Sequence, residues 1–159
     1  DIMMLTIQEE GMRFGVRVGA IIYNQDRSKI LLEKQNNKMY MFPGGRIDVH
    51  EDSQEAIERE LHEELNIRVD LKLKYIVEMF LKSPKTKYHE IGFYFLTQFD
   101  ELSISNHFKS LDGNSEFVWI PVHELDQYPI LARPIKNKVM EHKIIDDSLE
   151  HIIYREYES

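Results

Sequence analysis

The chain has 159 residues, the size of one domain, and its composition of 42% hydrophobic and 30% charged residues is that of an ordinary globular protein. A formal net charge of −8 repels polyanions, which argues against a general nucleic-acid or anionic-membrane binder. The absence of cysteine excludes disulfides and cysteine-ligated metals, and no apolar run is long enough to span a membrane. We expect a cytoplasmic, single-domain chain over residues 1–159, with residues 1–12 as a flexible N-terminus.

Two strands are predicted at the start of the chain. Residues 16–23 alternate in a way typical of a strand buried on both faces. After a polar turn, the segment 29–34 (KILLEK) is predicted to be the returning strand. Pro43-Gly44-Gly45 then favours a backbone path that a residue with a Cβ does not follow easily.

The clearest helix covers residues 52–65. Asp52 or Ser53 can cap its start, and Glu55 lies three residues after Asp52, as in a capping box. Its apolar stripe consists of Ile57, Leu61 and Leu65. Asn66 follows at a position where a left-handed residue would end the helix.

The rest of the chain alternates further strands with short helices. We predict strands at 67–81 and 88–99, a polar loop at 103–115, a strand at 117–120, a short helix at 121–125 and a helix after Pro134. Strands on both sides of one central helix indicate an α/β fold, with a mixed sheet and helices packed on it.

Three glutamates of the central helix form an acidic stripe, namely Glu60, Glu63 and Glu64. At about 100° per residue they share one arc of the helix surface, beside the apolar stripe. Like charges at these spacings destabilise a helix by roughly 0.2–0.5 kcal/mol per pair. A hard cation such as Mg²⁺, which prefers carboxylate oxygens, would remove that repulsion. Taken alone, the acidic stripe is explained better by a solvated face than by a metal site, because charge runs are usually solvated.

The surrounding spacing resembles the Nudix box. Gly45 is followed after five residues by Glu51, and after seven more by the run 59–67, RELHEELNI. The family pattern is G-x5-E-x7-R-E-U-x-E-E-x-G-U, where U is a bulky aliphatic residue, and eight of its nine specified positions match. The departure is Asn66 in place of glycine, and asparagine also adopts the left-handed conformation at small cost. Upstream, residues 40–45 (YMFPGG) resemble the family's lead-in.

This resemblance implies a Nudix-type α/β/α sandwich with a mixed β-sheet flanked by helices. It also implies a pyrophosphohydrolase dependent on Mg²⁺ or Mn²⁺, in which water attacks phosphorus in a nucleoside diphosphate linked to another moiety. The substrate stays open among a nucleoside triphosphate, a nucleotide sugar or ADP-ribose, and a dinucleoside polyphosphate.

The resemblance also assigns roles to individual residues. Glu60 and Glu64 are implied as the principal metal ligands, with Glu63 at the same metal cluster and the Gly45 carbonyl as a further ligand. Arg59 is expected to orient the carboxylates by ion pairing. Glu51 is expected to act as a structural partner outside the ligand set, and the general base is left unassigned.

Four residues outside the box are candidates for further roles. A distal acid is sought among Glu90, Asp112 and Glu116, although each of them is also explained as a surface carboxylate. Arg17 is unusual in an apolar strand, and it either reaches a substrate phosphate or pairs with a core carboxylate. We include Arg17, Glu90 and Glu116 as candidate substrate-binding residues.

A second hypothesis is a sensor that binds a nucleotide on the same fold without hydrolysing it. Three mutually repelling carboxylates argue against this alternative, because simple binding does not need them. We expect a small nucleotide-type substrate as partner, neither a nucleic-acid polymer nor a membrane, and we leave a homodimer open.

Overall fold

Ten strands form one sheet in the computed structural model, which describes residues 5–36, 38–141, 146 and 148–159. The strands are β1 Thr6–Glu9, β2 Met12–Tyr23, β3 Lys29–Lys34, β4 Tyr40–Met41, β5 Gly44–Arg46, β6 Lys72–Lys82, β7 Lys87–Gln98, β8 Phe108–Lys109, β9 Glu116–Pro121 and β10 Glu150–Tyr157. The helices are α1 Ser53–Leu65 and α2 Arg133–Glu141, with 3₁₀ helices at Glu101–Ser103 and Val122–Gln127.

The sheet is mixed, as predicted. Its main order is β10-β6-β7-β2-β3-β9-β8, with β1 and β5 also paired to β2, and β4 paired to β3. The β2–β7 and β10–β6 pairs are parallel, whereas the other pairs are antiparallel. Strand β2 lies at the centre, and its residues from Val18 to Tyr23 are buried because both faces of the sheet are covered there.

A helical layer covers each face of the sheet. On one face, Ile57, Leu61 and Leu65 of α1 pack against inward-facing residues of β2 and β3. On the opposite face, Ile135 and Val139 of α2 pack together with the 3₁₀ helix Val122–Gln127. This arrangement confirms the predicted sandwich. No helix among the described residues combines the length and apolar composition that a membrane crossing requires.

Strands β2 and β3 separate soon after they meet. Within the described residues their ladder pairs only Tyr23 with Ile30. Further along, β5 pairs with β2 beside Arg17, and β4 pairs with β3 beside Glu33. We call this split between β2 and β3, filled by β4 and β5, the fork. The fork holds the segment Pro43-Gly44-Gly45, which we call the glycine turn, between the two diverging strands.

The glycine turn has the backbone that its sequence predicts. Gly44 has φ +155°, and a Cβ built there would lie 2.9 Å from the Cα of Gly19 on β2. A side chain at this position would therefore push β5 away from the centre of the sheet.

Helix α1 begins and ends as predicted. The Glu55 amide donates to Asp52 Oδ1 at 2.8 Å, and the Asp52 amide donates to Glu55 Oε1 at 3.3 Å, which completes the capping box. At the other end, Asn66 has φ 54° and ψ 39°, the left-handed conformation.

Several predicted boundaries differ from the structure. Strand β6 begins at Lys72 rather than at residue 67, because residues 67–71 bury apolar side chains without joining a ladder. The short helix at 121–125 is the 3₁₀ helix Val122–Gln127. Within the N-terminus predicted to be flexible, Thr6–Glu9 is a strand, because it gains backbone partners on β2. The structure also contains β4, β5, β8 and β10, which the sequence analysis did not predict.

Candidate active site

The acidic stripe of α1 faces the fork through Glu60. A Cβ built on Gly45 would lie 2.6 Å from the carboxyl carbon of Glu60, so the glycine leaves the space that this carboxylate occupies. The Glu60 side chain is 14% exposed. The box spacing therefore places the backbone of β5 directly against a helix carboxylate, and the metal-ligand roles expected of Gly45 and Glu60 stay predictions.

Glu64 lies next to Glu60 and shares a hydrogen bond with it. Its Oε2 is buried and has no hydrogen-bond partner among the described residues. Burial first, and then the neighbouring carboxyl groups of Glu60 and Glu33, raise the pKa of Glu64 to about 10. Two carboxyl groups in this position need either a shared proton or a cation between them.

Glu33 on β3 is a third acidic group at the same place. It is buried, and its Oε1 accepts a hydrogen bond from Ser115 Oγ at 2.5 Å. Burial raises its pKa, with the charge of Glu60 acting in the same direction. The sequence analysis missed Glu33, although a glutamate at an inward-facing position of the KILLEK strand was a usable signal.

Arg59 holds the outer side of the stripe. Its guanidinium donates from Nε and Nη2 to the two oxygens of Glu51, at 2.7 and 3.0 Å, and from Nη1 to Glu60 Oε1 at 3.0 Å. It also donates to the backbone carbonyl of Arg46 at 3.2 Å. The Arg59 hydrogen bonds lower the pKa of Glu51. The expected roles of Arg59 and Glu51 are both compatible with this network.

Glu63 does not join Glu60 and Glu64 in this conformation. Its side chain is 55% exposed and accepts from Arg59 Nη1 at 3.3 Å. Among the described residues, no three acidic or histidine side chains converge closely enough to form a complete metal site.

Glu60 and Glu64 nevertheless fit a hard cation. The unpartnered Oε2 of Glu64 is buried beside a second carboxyl group, that of Glu60, which itself lies against Gly45. Mg²⁺ commonly uses only one or two protein carboxylates and completes its shell with water and substrate phosphates. The site therefore provides suitable protein oxygens without needing a full cage.

Glu90 belongs to a different cluster. It is buried on β7, where its Oε2 accepts hydrogen bonds from Arg46 Nη1 at 2.7 Å and from the hydroxyl of Tyr88. Arg46 also donates from Nη2 to the Tyr88 oxygen at 2.7 Å. We call Arg46, Tyr88 and Glu90 the carboxylate triad. Its members line a cavity on the α2 face of the sheet.

Asp112 and Glu116 lie elsewhere. Asp112 accepts from Ser110 Oγ at 2.5 Å, within its own turn. Glu116 bonds to His107, and this bond lowers its pKa. Neither forms a described contact with the acidic stripe. Their role as a distal acid therefore stays a prediction from the sequence, without support from the geometry.

Arg17 lies on β2 beside the fork. Its Nη2 donates to the Phe42 carbonyl at 3.1 Å, and its side chain lines the same cavity as Glu90. Its charge also opposes the upward pKa shifts of Glu33 and Glu64. No described carboxylate lies within ion-pair distance of Arg17, so its guanidinium balances the acidic groups from a distance.

The cavity has a volume of about 760 Å³, within the range of small-ligand pockets. Much of its wall is apolar, contributed by Met39, Met41, Phe42, Met79, Leu81 and Ile130. Its polar groups include Arg17 and the carboxylate triad. The arrangement suits a ligand with an apolar ring and an anionic end.

Comparisons with known proteins identify the family and agree with the fold. A sequence model of the NUDIX domain matches residues 13–142. No curated protein is significantly similar to the chain.

Solved structures share the fold at low sequence identity. The mutator MutT protein of Bacillus halodurans is 20% identical with a TM-score of 0.65, over 88% of this chain and 89% of that one. The dihydroneopterin triphosphate pyrophosphohydrolase of E. coli is 15% identical with a TM-score of 0.58, over 80% and 93%. An ADP-ribose pyrophosphatase of Streptococcus suis is 18% identical with a TM-score of 0.54, over 87% and 98%.

Proposed function

The chain belongs to the NUDIX family, and from this membership we propose that it is a Mg²⁺- or Mn²⁺-dependent hydrolase that cleaves a phosphoric anhydride bond in a small nucleotide-type substrate. The alternative, a nucleotide sensor without hydrolytic activity, makes no use of the buried carboxyl pair. Solved relatives of this fold include enzymes for ADP-ribose and for dihydroneopterin triphosphate. Both compounds contain a pyrophosphate linkage.

The observation that carries the proposal is the buried, unpartnered Oε2 of Glu64 beside Glu60. A buried polar atom without a partner is costly, and a pair of like carboxyl groups adds to that cost. Folds keep such groups mainly where function requires them. A cation bound by Glu60, Glu64 and the Gly45 carbonyl would satisfy all of these oxygens.

The protein residues have distinct tasks in this reaction. Arg59 fixes Glu60 through a 3.0 Å hydrogen bond and is itself held by both oxygens of Glu51. The bound cation would supply neutralisation of the phosphoryl oxygens and a lowered pKa of water. Glu63, exposed and joined to Arg59, is the group free to turn toward the cation or to accept a proton from water.

Arg17 is proposed to contact a phosphate of the substrate. It lines the cavity while its charge acts on Glu33 and Glu64, so it lies between the cavity and the acidic groups. A planar guanidinium suits two phosphate oxygens. Glu90 is proposed to bind substrate inside the cavity, and Glu116 stays a prediction from the sequence.

The direct test is hydrolysis with Mg²⁺ or Mn²⁺ of a panel of nucleoside triphosphates, ADP-ribose, nucleotide sugars and dinucleoside polyphosphates. We expect cleavage at a pyrophosphate bond for at least one class, read by chromatography of the products. The Glu64→Gln variant should lose about 10²- to 10⁴-fold in kcat. The matched control is Glu58→Gln, an exposed residue on the same helix that bonds Gln54.

Two results would contradict the proposal. Equal activity of Glu64→Gln and the wild type would remove the carboxyl pair from the chemistry. Nucleotide binding without turnover of any panel member, measured calorimetrically on the same samples, would support the sensor instead.

The cytoplasmic location, the homodimer, and the absence of nucleic-acid and membrane partners stay predictions. Light scattering of the purified chain measures the oligomeric state directly. The net charge of −8 supports a small ligand over a polyanion.

A further inference from the structure

We propose that a second copy of this chain docks on the side of the sheet that carries α1, about a two-fold axis. The docking surface comprises the parts of β1, β2, β6, β7 and β10 that lie beyond the residues packed against α1, and we call it the open face. The cation site and the cavity wall are formed by other residues. The inference therefore goes beyond the proposed hydrolysis and does not rest on it.

A row of aromatic side chains crosses the open face. Phe14 of β2 pairs with His89 of β7, and their rings meet edge-on with centroids 4.9 Å apart. His89 pairs with Phe80 of β6, and these two rings stack at 4.3 Å. Phe80 in turn pairs with Arg155 of β10, whose guanidinium carbon lies 4.4 Å from the ring centroid. Both phenylalanines are only half-buried, and among the described residues neither packs into the two apolar cores.

Large apolar side chains are exposed around this row. Ile7 on β1 is 64% exposed, Met12 on β2 is 49% exposed, and Ile153 and Tyr157 on β10 are 57% and 61% exposed. Because side chains alternate along a strand, all four lie on the same side of the sheet as the row. Single exposed apolar residues are ordinary, but monomeric proteins rarely gather them into one large patch. The open face therefore has the composition of a surface that a protein partner covers.

The open face is complementary in charge to itself, which makes a second copy the partner that fits it. On β6, Glu78 and Lys82 lie on the same side as Phe80, two residues before it and two residues after it. Both are available, since the Glu78 side chain is 36% exposed although it bonds His151, and Lys82 is exposed beside the Tyr157 ring. A two-fold axis along the row reverses each strand in the second copy. Glu78 of each copy then lies opposite Lys82 of the other.

The apolar residues follow the same symmetry. Ile153 and Tyr157 lie two residues to either side of the row on β10, so the axis places each against the other in the second copy. Met12 and Val16 flank the row on β2 in the same way. Two sheets that pack face to face with nearly aligned strands have this geometry. Arg155 meets its counterpart only at β10, the edge of the sheet, where water and salt screen the two charges.

The charge of the whole chain favours contact through this face over contact through others. Two copies that each carry a net charge of −8 repel one another. The open face carries Lys82, Lys87 and Arg155 against Glu9 and Glu78, so its own charge is not negative. Repulsion between two copies is therefore smaller where two open faces meet. This approach also leaves the cavity accessible, because the cavity lies on the α2 side of the sheet.

The test is sedimentation equilibrium of the whole chain over a range of concentrations. We expect a monomer–dimer equilibrium for the wild type, with a dissociation constant on the order of micromolar. Lys82→Glu places two glutamates opposite each other, and Glu78→Lys places two lysines opposite each other, so each variant alone should dimerise about 10- to 100-fold more weakly. An equal mixture of the two variants should recover the wild-type affinity to within about threefold, because each heterodimer regains two pairs of opposite charge.

Matched controls make the same charge changes away from the open face. Lys109→Glu lies on β8, at the other edge of the sheet, and Glu124→Lys lies on the 3₁₀ helix Val122–Gln127 of the α2 side. Each should dimerise like the wild type, alone and in an equal mixture. Melting temperatures of all variants are measured alongside, so that a weakened dimer is distinguished from a chain that fails to fold.

Each outcome decides the inference. Weakened dimers in both single variants, recovery on mixing and unchanged controls support the two-fold contact through the open face. A wild type that sediments as a monomer even at about 1 mM overturns it, and the open face then has another partner or none. A dimer that neither single variant weakens overturns it too, because the copies then meet through a different surface. Weakening without recovery on mixing rules out the proposed pairing of Glu78 with Lys82.

Discussion

At Glu64, burial and two neighbouring carboxyl groups act in the same direction. Each favours the protonated form, so the pKa lies near 10 when no cation is bound. Arg59 lies on the opposite side, and its ion pairs with Glu51, Glu60 and Glu63 hold those side chains in position. The acidic stripe therefore has a guanidinium against its outer side and the buried Oε2 of Glu64 on its inner side.

Stability without a cation should fall as pH rises. Because the native Glu64 binds a proton that the unfolded chain releases near its ordinary pKa, the contribution of Glu64 to stability is complete below that ordinary pKa and is lost as the pH rises toward about 10. Chemical denaturation in chelator at pH 6 and pH 9 measures this slope. Glu64→Gln should flatten it and raise the free energy of unfolding at pH 9 by about 1–3 kcal/mol. An unchanged slope would contradict the burial of this carboxyl group.

Replacing Arg59 by lysine should weaken catalysis more than stability. An ammonium group cannot bond both oxygens of Glu51 while also reaching Glu60. We expect kcat/KM to fall about 10- to 100-fold, as for groups that orient metal ligands, with a melting temperature within a few degrees of the wild type. Arg68→Lys, at an exposed position beyond the helix, is the control. Full activity in Arg59→Lys would mean that the Glu51–Arg59 contact has no orienting role.

At the scale of elements, the sequence predicts the structure that local patterns encode. It does not predict the strands that depend on a partner far away in the chain. The capping box, the apolar stripe and the left-handed Asn66 are all encoded within about four residues, so the sequence predicts α1 closely. Strand β10 has a parallel partner, β6, more than 60 residues away in the chain, and no local signal encodes that pairing. The short β4 and β5 depend in the same way on the separation of β2 from β3.

The C-cap of α1 offers a stability test. Asn66→Gly should change the free energy of unfolding by about 1 kcal/mol or less, because both residues adopt φ near +54°. Asn66→Ala should destabilise by about 1–2 kcal/mol, since a Cβ without a compensating polar group is unfavourable there. Urea denaturation of the three proteins gives both values. An alanine variant as stable as the wild type would contradict the left-handed cap.

At the scale of the whole molecule, the residues of the candidate site come from distant parts of the chain. The helix carboxylates and Gly45 could be identified from spacing because they share one contiguous segment. Glu33 joins them only through the fork, and the carboxylate triad forms only when β5 and β7 both lie beside β2. Spacing along the sequence does not encode these contacts. The residues of the cation site are therefore easier to predict from the sequence than the residues that line the cavity.

Binding of a divalent cation should stabilise the whole fold. A ligand that binds the native state at 100 times its dissociation constant adds about 2.7 kcal/mol. We expect Mn²⁺ to raise the melting temperature of the wild type by several degrees and to leave Glu64→Gln nearly unchanged, with Glu58→Gln behaving as the wild type. Equal shifts in all three proteins would indicate cation binding away from α1.

The sheet also divides the molecule for purposes of redesign. Contacts made by α1 lie on one face of the sheet, and most of the cavity wall lies on the other. Substitutions at sites without shared partners usually act independently. Libraries that vary Met41, Met79 and Leu81, whose side chains line the cavity, could therefore change the accepted ligand while the cleavage machinery stays constant. One framework could then yield a series of catalysts with different selectivity.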